Sequence, residues 1–458
     1  MVNKILIRLN IIVLVGLILI NILGVFMPEL GFDALWYHLP LSKLFLAKHQ
    51  WYFSGGLYYY SAMPRLAELI SLPLFSVYGF SGPKLLQFVS GLIVSFLIYR
   101  LAKKLTSYQL PANQLLSLTA VNLFYATWLV SWQSSSGYVD LVRTVFEVSA
   151  LYLLIIKPLA LRHVRYAGIL FGLAIGTKWH ALGSLAVAAV IFSPFLILPA
   201  LLVASPWFYL AYRFTGNPVY PLFEKFMTTT QLSQVESHYY SLLSIIKRFL
   251  LAPVFLTRPS EDFLSPLIGL VFGISLLALF SSNKLIRKIS LYGLLGTILL
   301  LLTPPPSTRY YLPYLPAVIL AAVYVISRLK TKISLYFVAL FTLCALLVLT
   351  ARLLAFRKYL PYLFGGQNLN QFLTSQSYRL PDTFIDSDNY VQDNLPATGK
   401  YLISRLHNLY YFPFDFDHDS FFDPAKRYDY LITTNTAVEL IKGKLLHTNQ
   451  LGIQIFKL

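Results

Sequence analysis

The chain has 458 residues, 57% of them hydrophobic and only 12% charged, with 37 Lys+Arg against 19 Asp+Glu. Several apolar runs approach twenty residues, which excludes one large soluble core and describes a polytopic α-helical membrane protein. The formal net charge of +18 resides in residues 1–356, because acids and bases balance in 357–458; basic residues gathered in short loops are what membrane topology requires, so no nucleic-acid partner is implied.

Lys4 and Arg8 precede the apolar segment Ile5–Phe26, which predicts a cytoplasmic amino terminus and a retained anchor rather than a cleaved signal peptide. A first outer loop, residues 27–83, follows. Within it Pro64–Gly79 is short and holds Arg65, Glu68 and Pro73, so an interfacial helix fits better than a span. Lys84–Leu101 then runs inward to Arg100, Lys103 and Lys104, Asn113–Val130 outward, Leu141–Lys157 inward, and Tyr166–Lys178 outward after the basic turn at Arg162 and Arg165. Residues 180–214 read as a short hairpin of two helices around Ser193-Pro194 and Leu198-Pro199. Ser265–Ser281, Ile289–Thr303, Tyr311–Ile326 and Ile333–Leu354 complete eleven expected spans. Cys344, the single cysteine, lies in the last of them and excludes both a disulfide framework and a cysteine-based metal site.

Residues 1–356 thus form a transmembrane unit and residues 357–458 a small extracytoplasmic α/β domain. In the latter, strand-like runs (Lys400–Ser404, Tyr428–Thr433, Gly452–Leu458) alternate with helical patterns (Asp386–Asn394, Thr436–Leu446). Asp415, Asp417, Asp419 and Asp423 resemble the start of a calcium loop. Ser420 stands where that loop needs glycine, however, and Lys426 where it needs glutamate, so a solvated acidic loop is the better reading.

Three aspartates occur before residue 357, and two of them, Asp33 and Asp140, fall at outer ends of spans placed by loop charge alone. Carboxylates near hydrocarbon are expensive and mark cavities or partners. Asp140 could instead cap the helix beginning at Leu141. Asp140, Arg143 and Glu147 share one helix face, where Arg143 and Glu147 can pair. Lys178 ends a glycine-rich helix, Gly168 to Lys178, whose small residues permit close packing; its ammonium either snorkels to headgroups or meets a phosphate. Arg309 and Arg65 are further outer-side cations, against the positive-inside trend. Cations beside carboxylates on one side point to a site that handles an anion and needs a base.

The segments Phe32-Asp33-Ala34-Leu35-Trp36-Tyr37-His38-Leu39-Pro40, Tyr60-Ser61-Ala62-Met63-Pro64-Arg65-Leu66-Ala67-Glu68-Leu69, Ser136-Gly137-Tyr138-Val139-Asp140, Gly172 to Lys178, Pro206-Trp207, Thr215-Gly216-Asn217-Pro218-Val219-Tyr220-Pro221 and Thr308-Arg309-Tyr310 occur in the order seen in the GT-C superfamily of membrane glycosyltransferases. The chain resembles that class, which includes protein O-mannosyltransferases and lipid A aminoarabinose transferases, and within it the polyprenyl- or dolichyl-phosphate-mannose-dependent members. The resemblance implies an inverting glycosyltransferase in the plasma membrane. It would move a mannose-like sugar from a polyprenyl-phosphate-sugar donor to a glycan, lipid or protein acceptor on the outer face.

By the same resemblance Asp33 is the general base, and Asp140 binds or orients the acceptor or a divalent cation. Lys178, Arg309 and Arg65 suit the donor phosphate, while His38, Tyr37 and Tyr310 line the substrate cleft. Ala34 follows Asp33 where many relatives carry a second acid, which speaks against metal at this loop. A transporter or flippase of lipid-linked sugars and an outer-face glycan polymerase or ligase are the alternatives; the former would show paired broken helices, the latter a late loop rich in arginine and histidine.

Overall fold

A computed structural model describes residues 2–53, 59–106, 112–157, 160–223, 241–257, 267–303, 307–434 and 443–458. Apolar runs become helices because a chain in hydrocarbon must satisfy its backbone internally. The first, α1 (Val2–Val25), has 24 residues, about 36 Å at the rise of an α-helix. Its buried residues Leu6, Asn10, Val13, Leu17, Asn21 and Gly24 recur every three or four positions and make one inward stripe.

The first loop carries α2 (Leu39–Lys48) and α3 (Leu66–Tyr78). The bundle continues through α4 (Ser81–Leu105), α5 (Ala112–Tyr125), α6 (Trp128–Gln133), α7 (Asp140–Ile156), α8 (Leu161–Thr177), α9 (Ala181–Ile191) and α10 (Ile197–Thr215). After it come α11 (Leu242–Leu250), α12 (Ala252–Thr257), α13 (Ile268–Leu277), α14 (Lys284–Leu302), α15 (Leu315–Ser327) and α16 (Thr331–Phe356). Among the described residues five helical stretches are long and apolar enough to cross a bilayer on their own: Val2–Val25, Ser81–Leu105, Pro194–Thr215, Lys284–Leu302 and Thr331–Leu363.

Two details differ from the expected elements. The span expected over Asn113–Val130 is divided into α5 and α6, because Thr127 is extended (φ −65°, ψ 130°). The first loop, in which the expected element is the interfacial helix Pro64–Gly79, is also helical from Ala34 to Lys48.

Polar stitches hold the apolar bundle in register. Asn10 of α1 donates to Thr342 Oγ1 of α16 at 2.8 Å and accepts from Asn122 Nδ2 of α5 at 2.7 Å, bonds suited to helices that share no hydrophobic drive in lipid. The glycines of α8 work by size. A Cβ on Gly168 would lie 2.7 Å from Leu196 O, and one on Gly172 2.6 Å from Ala200 O, so the backbones of α8 and α10 touch where any side chain would part them. That close approach fixes the end of α8, and with it Lys178.

Residues 357–458 carry a five-stranded sheet in the order β2-β1-β3-β5-β4, with β1 (Tyr401–Ile403), β2 (Phe416–His418), β3 (Tyr430–Thr434), β4 (Lys444–Thr448) and β5 (Ile453–Lys457). The first three are parallel; β5 runs antiparallel to β3 and β4. Of the helix expected over Thr436–Leu446, residues 435–442 lie outside the described residues and Lys444–Leu446 form part of β4, held by pairing with β5. The helix expected over Asp386–Asn394 is reduced to Tyr390–Asn394. Asn389 is left-handed (φ 59°), and Asp386 accepts from the N–H groups of Val391 and Gln392, so the carboxylate replaces the turn that would have extended the helix.

The sheet domain shares a core with the first loop. Tyr37, Leu41, Leu44 and Phe53 pack in one cluster with Tyr401, Ile403, Phe412 and Ile455. Lys43 Nζ donates to Phe412 O, and Lys48 Nζ to Phe416 O at 2.8 Å and to the Asp417 carboxylate. Burial draws the Lys43 ammonium down to about 8, although nearby Asp415 opposes it. Asp417 also accepts from Lys426 and Tyr428. It is therefore an anchor for lysines, not the second ligand of a calcium loop.

Candidate active site

At one end of the bundle α1 finishes, α7 begins, α8 finishes and the turn before α15 returns. Asp33 sits just beyond α1, one residue before a single wide turn, Ala34–His38, of π-helical bonding, an irregularity frequent at functional sites. Its Oδ2 accepts from Arg309 Nη1 at 2.5 Å and from the Tyr37 hydroxyl at 3.3 Å. Its own N–H donates to the Tyr138 hydroxyl at 3.3 Å, and the Arg309 guanidinium lies over the Tyr138 ring at 5.1 Å. The aspartate is thus held by side chains from three separate segments.

The second pair lies beside it. Lys178 Nζ meets Asp140 Oδ1 at 3.0 Å, and Gln133 Nε2 donates to Asp140 Oδ2 at 3.1 Å. Tyr310, next in sequence to Arg309, joins the two pairs: the Lys178 ammonium is 5.3 Å from its ring, which also stacks on His180 at 3.8 Å. Deeper along α7, Arg143 Nε and Glu147 Oε1 pair at 2.6 Å, with Ser184 near the guanidinium at 3.4 Å.

Burial separates these groups. The side chains of Asp33, Arg309 and Lys178 are 18%, 15% and 17% exposed, whereas that of Asp140 is 1% exposed. Solvent reaches the first three; Asp140 is enclosed behind Lys178 and faces it.

The other expected residues fall into two groups. Tyr37 stacks on Tyr60 at 3.9 Å while bonding Asp33, so it belongs to the site. His38 Nδ1 lies 2.6 Å from Glu68 Oε1 of α3, and its ring is 4.2 Å from that of Tyr37; it braces the wall behind Tyr37. Arg65, expected at the phosphate, is used elsewhere: Nη2 donates to Trp51 O at 2.6 Å and the guanidinium lies over the Trp51 ring at 4.2 Å. The pull of a flat aromatic face on a buried guanidinium explains why it does not join Arg309 and Lys178.

Sequence reasoning missed Glu29. It is buried and accepts from the N–H groups of Leu30 (2.9 Å) and Gly31 (2.6 Å), and from that of Gly137 (2.6 Å), while Lys84 Nζ lies 4.0 Å away. One carboxylate therefore ties the turn before Asp33 to the turn before Asp140. Its signal was present: a second acid beside Asp33 in a stretch otherwise free of acids. As for a divalent cation, among the described residues no three His, Cys, Asp or Glu side chains gather to hold one, and the adjacent His38–Glu68 pair is a set of two.

The fold has counterparts of known structure. ArnT from Cupriavidus metallidurans, solved bound to undecaprenyl phosphate, superposes with a TM-score of 0.65 at 12% identity over 98% of this chain and 97% of that one. Its apo form gives 0.63 at 12% over 97% of each. The chain accordingly shares the fold of that protein, from the first helix through the sheet domain. The oligosaccharyltransferase of Archaeoglobus fulgidus aligns less well, with a TM-score of 0.46 at 13% identity over 87% of this chain and 61% of that one. No family model and no curated protein matches by sequence.

Proposed function

We propose that the chain is an inverting glycosyltransferase that moves a sugar from a polyprenyl-phosphate carrier to an acceptor hydroxyl on the outer face of the membrane. The observation that carries this reading is the accessible Asp33–Arg309 pair beside Lys178: a carboxylate able to take a proton, and two cations able to take a phosphate. The donor class follows from the fold shared with ArnT, a protein solved with undecaprenyl phosphate.

The acceptor oxygen attacks the anomeric carbon and its proton passes to Asp33. The carbon–oxygen bond to the carrier breaks on the opposite face, and the polyprenyl phosphate leaves with the bonding pair. Arg309 and Lys178 stabilise the charge that develops on that phosphate, which is where fixed cations in a poorly solvated site act most strongly. While Arg309 is paired with Asp33, Oδ2 of the carboxylate is occupied. A phosphate that draws the guanidinium toward itself frees that oxygen for the acceptor's proton, so donor binding readies the base. Asp140 holds Lys178 in place, and Tyr37 and Tyr310 flank the reacting groups. The proposed topology has eleven spans, a cytoplasmic amino terminus and residues 357–458 outside, with the chemistry on the extracytoplasmic side of the plasma membrane; the outer-side cations Lys178 and Arg309, against the positive-inside trend, support it. A mannose-like hexose is the proposed sugar.

The test is transfer from labelled polyprenyl-phosphate sugars by the purified protein, wild type against Asp33→Asn. Equal turnover by the variant removes the proposed base. Absence of transfer from every carrier, together with measurable flux of lipid-linked sugar across vesicles, would replace the enzyme by a transporter.

A further inference from the structure

Behind the wall that carries Asp33 lies a cavity of about 270 Å³ lined by Glu29, Gly31, Trp132, Arg352, Lys358 and Arg379, among others. It is separate from the Asp33–Arg309 pair. Gly31 and Trp132 form the wall, and on its other face Tyr138 meets both: a Cβ on Gly31 would lie 2.6 Å from the Tyr138 ring, and Trp132 packs edge-on against it at 5.1 Å.

The charge in this cavity is unbalanced. Arg352 donates from Nη2 to Asn21 Oδ1 (2.9 Å) and Ser135 Oγ (3.1 Å), both neutral, and its buried Nε has no partner. Lys358 lies over the Tyr359 ring at 4.9 Å, and Arg379 donates to the Tyr378 hydroxyl at 2.7 Å. Among the described residues none of the three forms an ion pair with a carboxylate. The one acid in the lining, Glu29, is already occupied by three backbone N–H groups and faces Lys84. Three cations around one carboxylate that also faces Lys84 are costly unless a further anion completes them.

The cavity's position defines the rest of the ligand. Arg352 lies one turn from the end of α16, whose Leu347, Leu353 and Leu354 are exposed, and the cavity adjoins the end of α1, where Leu19, Leu23 and Phe26 are exposed. These two helices pack against each other. A phosphate seated on Arg352, Lys358 and Arg379 would have apolar helix surface directly beneath it.

We infer that this cavity is a second anion site, which takes the phosphate headgroup of a membrane amphiphile, distinct from the phosphate handled at Arg309 and Lys178. Its occupancy does not depend on the transfer reaction. The test uses the full-length protein in phosphatidylcholine nanodiscs with fluorescent phosphatidic acid as probe, inorganic phosphate as competitor and fluorescent phosphatidylcholine as control. Wild type and Asp33→Asn should bind phosphatidic acid equally and well above phosphatidylcholine. Arg379→Gln, at an exposed position, and Lys358→Gln should each weaken binding about fivefold, Lys358→Arg should restore it, and Lys332→Gln on α16 should change nothing. Tight binding of phosphatidic acid with weak competition by inorganic phosphate supports a lipid headgroup; equal affinity for the two supports the same phosphate site with a soluble ligand. Equal binding of phosphatidic acid and phosphatidylcholine overturns the inference, as does unchanged affinity in Arg379→Gln and Lys358→Gln protein that elutes as wild type.

Discussion

The Asp33–Arg309 pair and the Arg143–Glu147 pair contain the same two chemical groups at nearly the same separation, 2.5 and 2.6 Å. They differ in water. The first pair is 18% and 15% exposed, the second no more than 1% on either side. An accessible pair can exchange partners with a substrate, whereas a sealed pair can only hold helices, because separating it strands a charge in a medium that will not solvate it. Burial, not residue type, divides the proposed reactive pair from the enclosed one along this face. Asp140–Lys178 sits between the two, with one member at the surface and the other enclosed.

That division can be broken by experiment. Asp33→Asn should lower turnover by about 10²–10⁴-fold, the usual contribution of a positioned base, and leave thermal unfolding of the detergent-solubilised protein unchanged; a large loss of stability would make Asp33 structural instead. Glu147→Gln should behave in the opposite way, costing about 3–5 kcal/mol of stability because Arg143 is left buried and unpaired. The double replacement Arg143→Met with Glu147→Leu should recover most of that loss, as read by melting temperature.

Arg309→Ala should reduce transfer by about 10²–10³-fold, with the loss mainly in kcat, if the guanidinium acts on charge that develops late. A change confined to KM would reduce it to a docking contact. The smallest effect belongs to the domain seat: Lys48→Met should cost at most about 1 kcal/mol, since that contact is partly solvated.

The same contact has a pH dependence of defined sign. Burial alone would raise the Asp417 carboxyl, but hydrogen bonds from Lys426 and Lys48 outweigh it and place the group below its ordinary 3.8. A depressed carboxyl contributes stability that is fully present above 3.8 and is lost as pH falls through the lower folded value. Limited proteolysis should therefore detect loosening of residues 357–458 from α2 only on strong acidification, and Lys48→Met should move that onset toward neutral pH.

Much of the bundle was legible because its signals are local. Apolar runs, the Ser193-Pro194 break and the glycines of α8 each act on their own helix or its immediate neighbour, and the structure shows helices close to the expected bounds. The contacts among Asp33, Arg309, Asp140 and Lys178 were partly legible, since loop charge places all four at one end of the spans. What escaped was set by distant partners. Arg65 reads like Arg309 in sequence, and only the position of Trp51 sends it elsewhere. Leu445 and Leu446 fit a helical face as well as a strand, and pairing with β5 decides. Glu29 was overlooked because its three partners are backbone groups, which no residue pattern encodes.

The lysines of α2 have a consequence for inheritance. Lys43 and Lys48 grip backbone carbonyls of the sheet domain from a helix that starts one residue after His38, on the same turn that presents Asp33. Cutting and rejoining two relatives at residue 356 would therefore separate a grip from its hold. A working chimera has to carry residues 34–53 along with 357–458, so a lineage that remodels the sheet domain necessarily remodels the setting of its own aspartate.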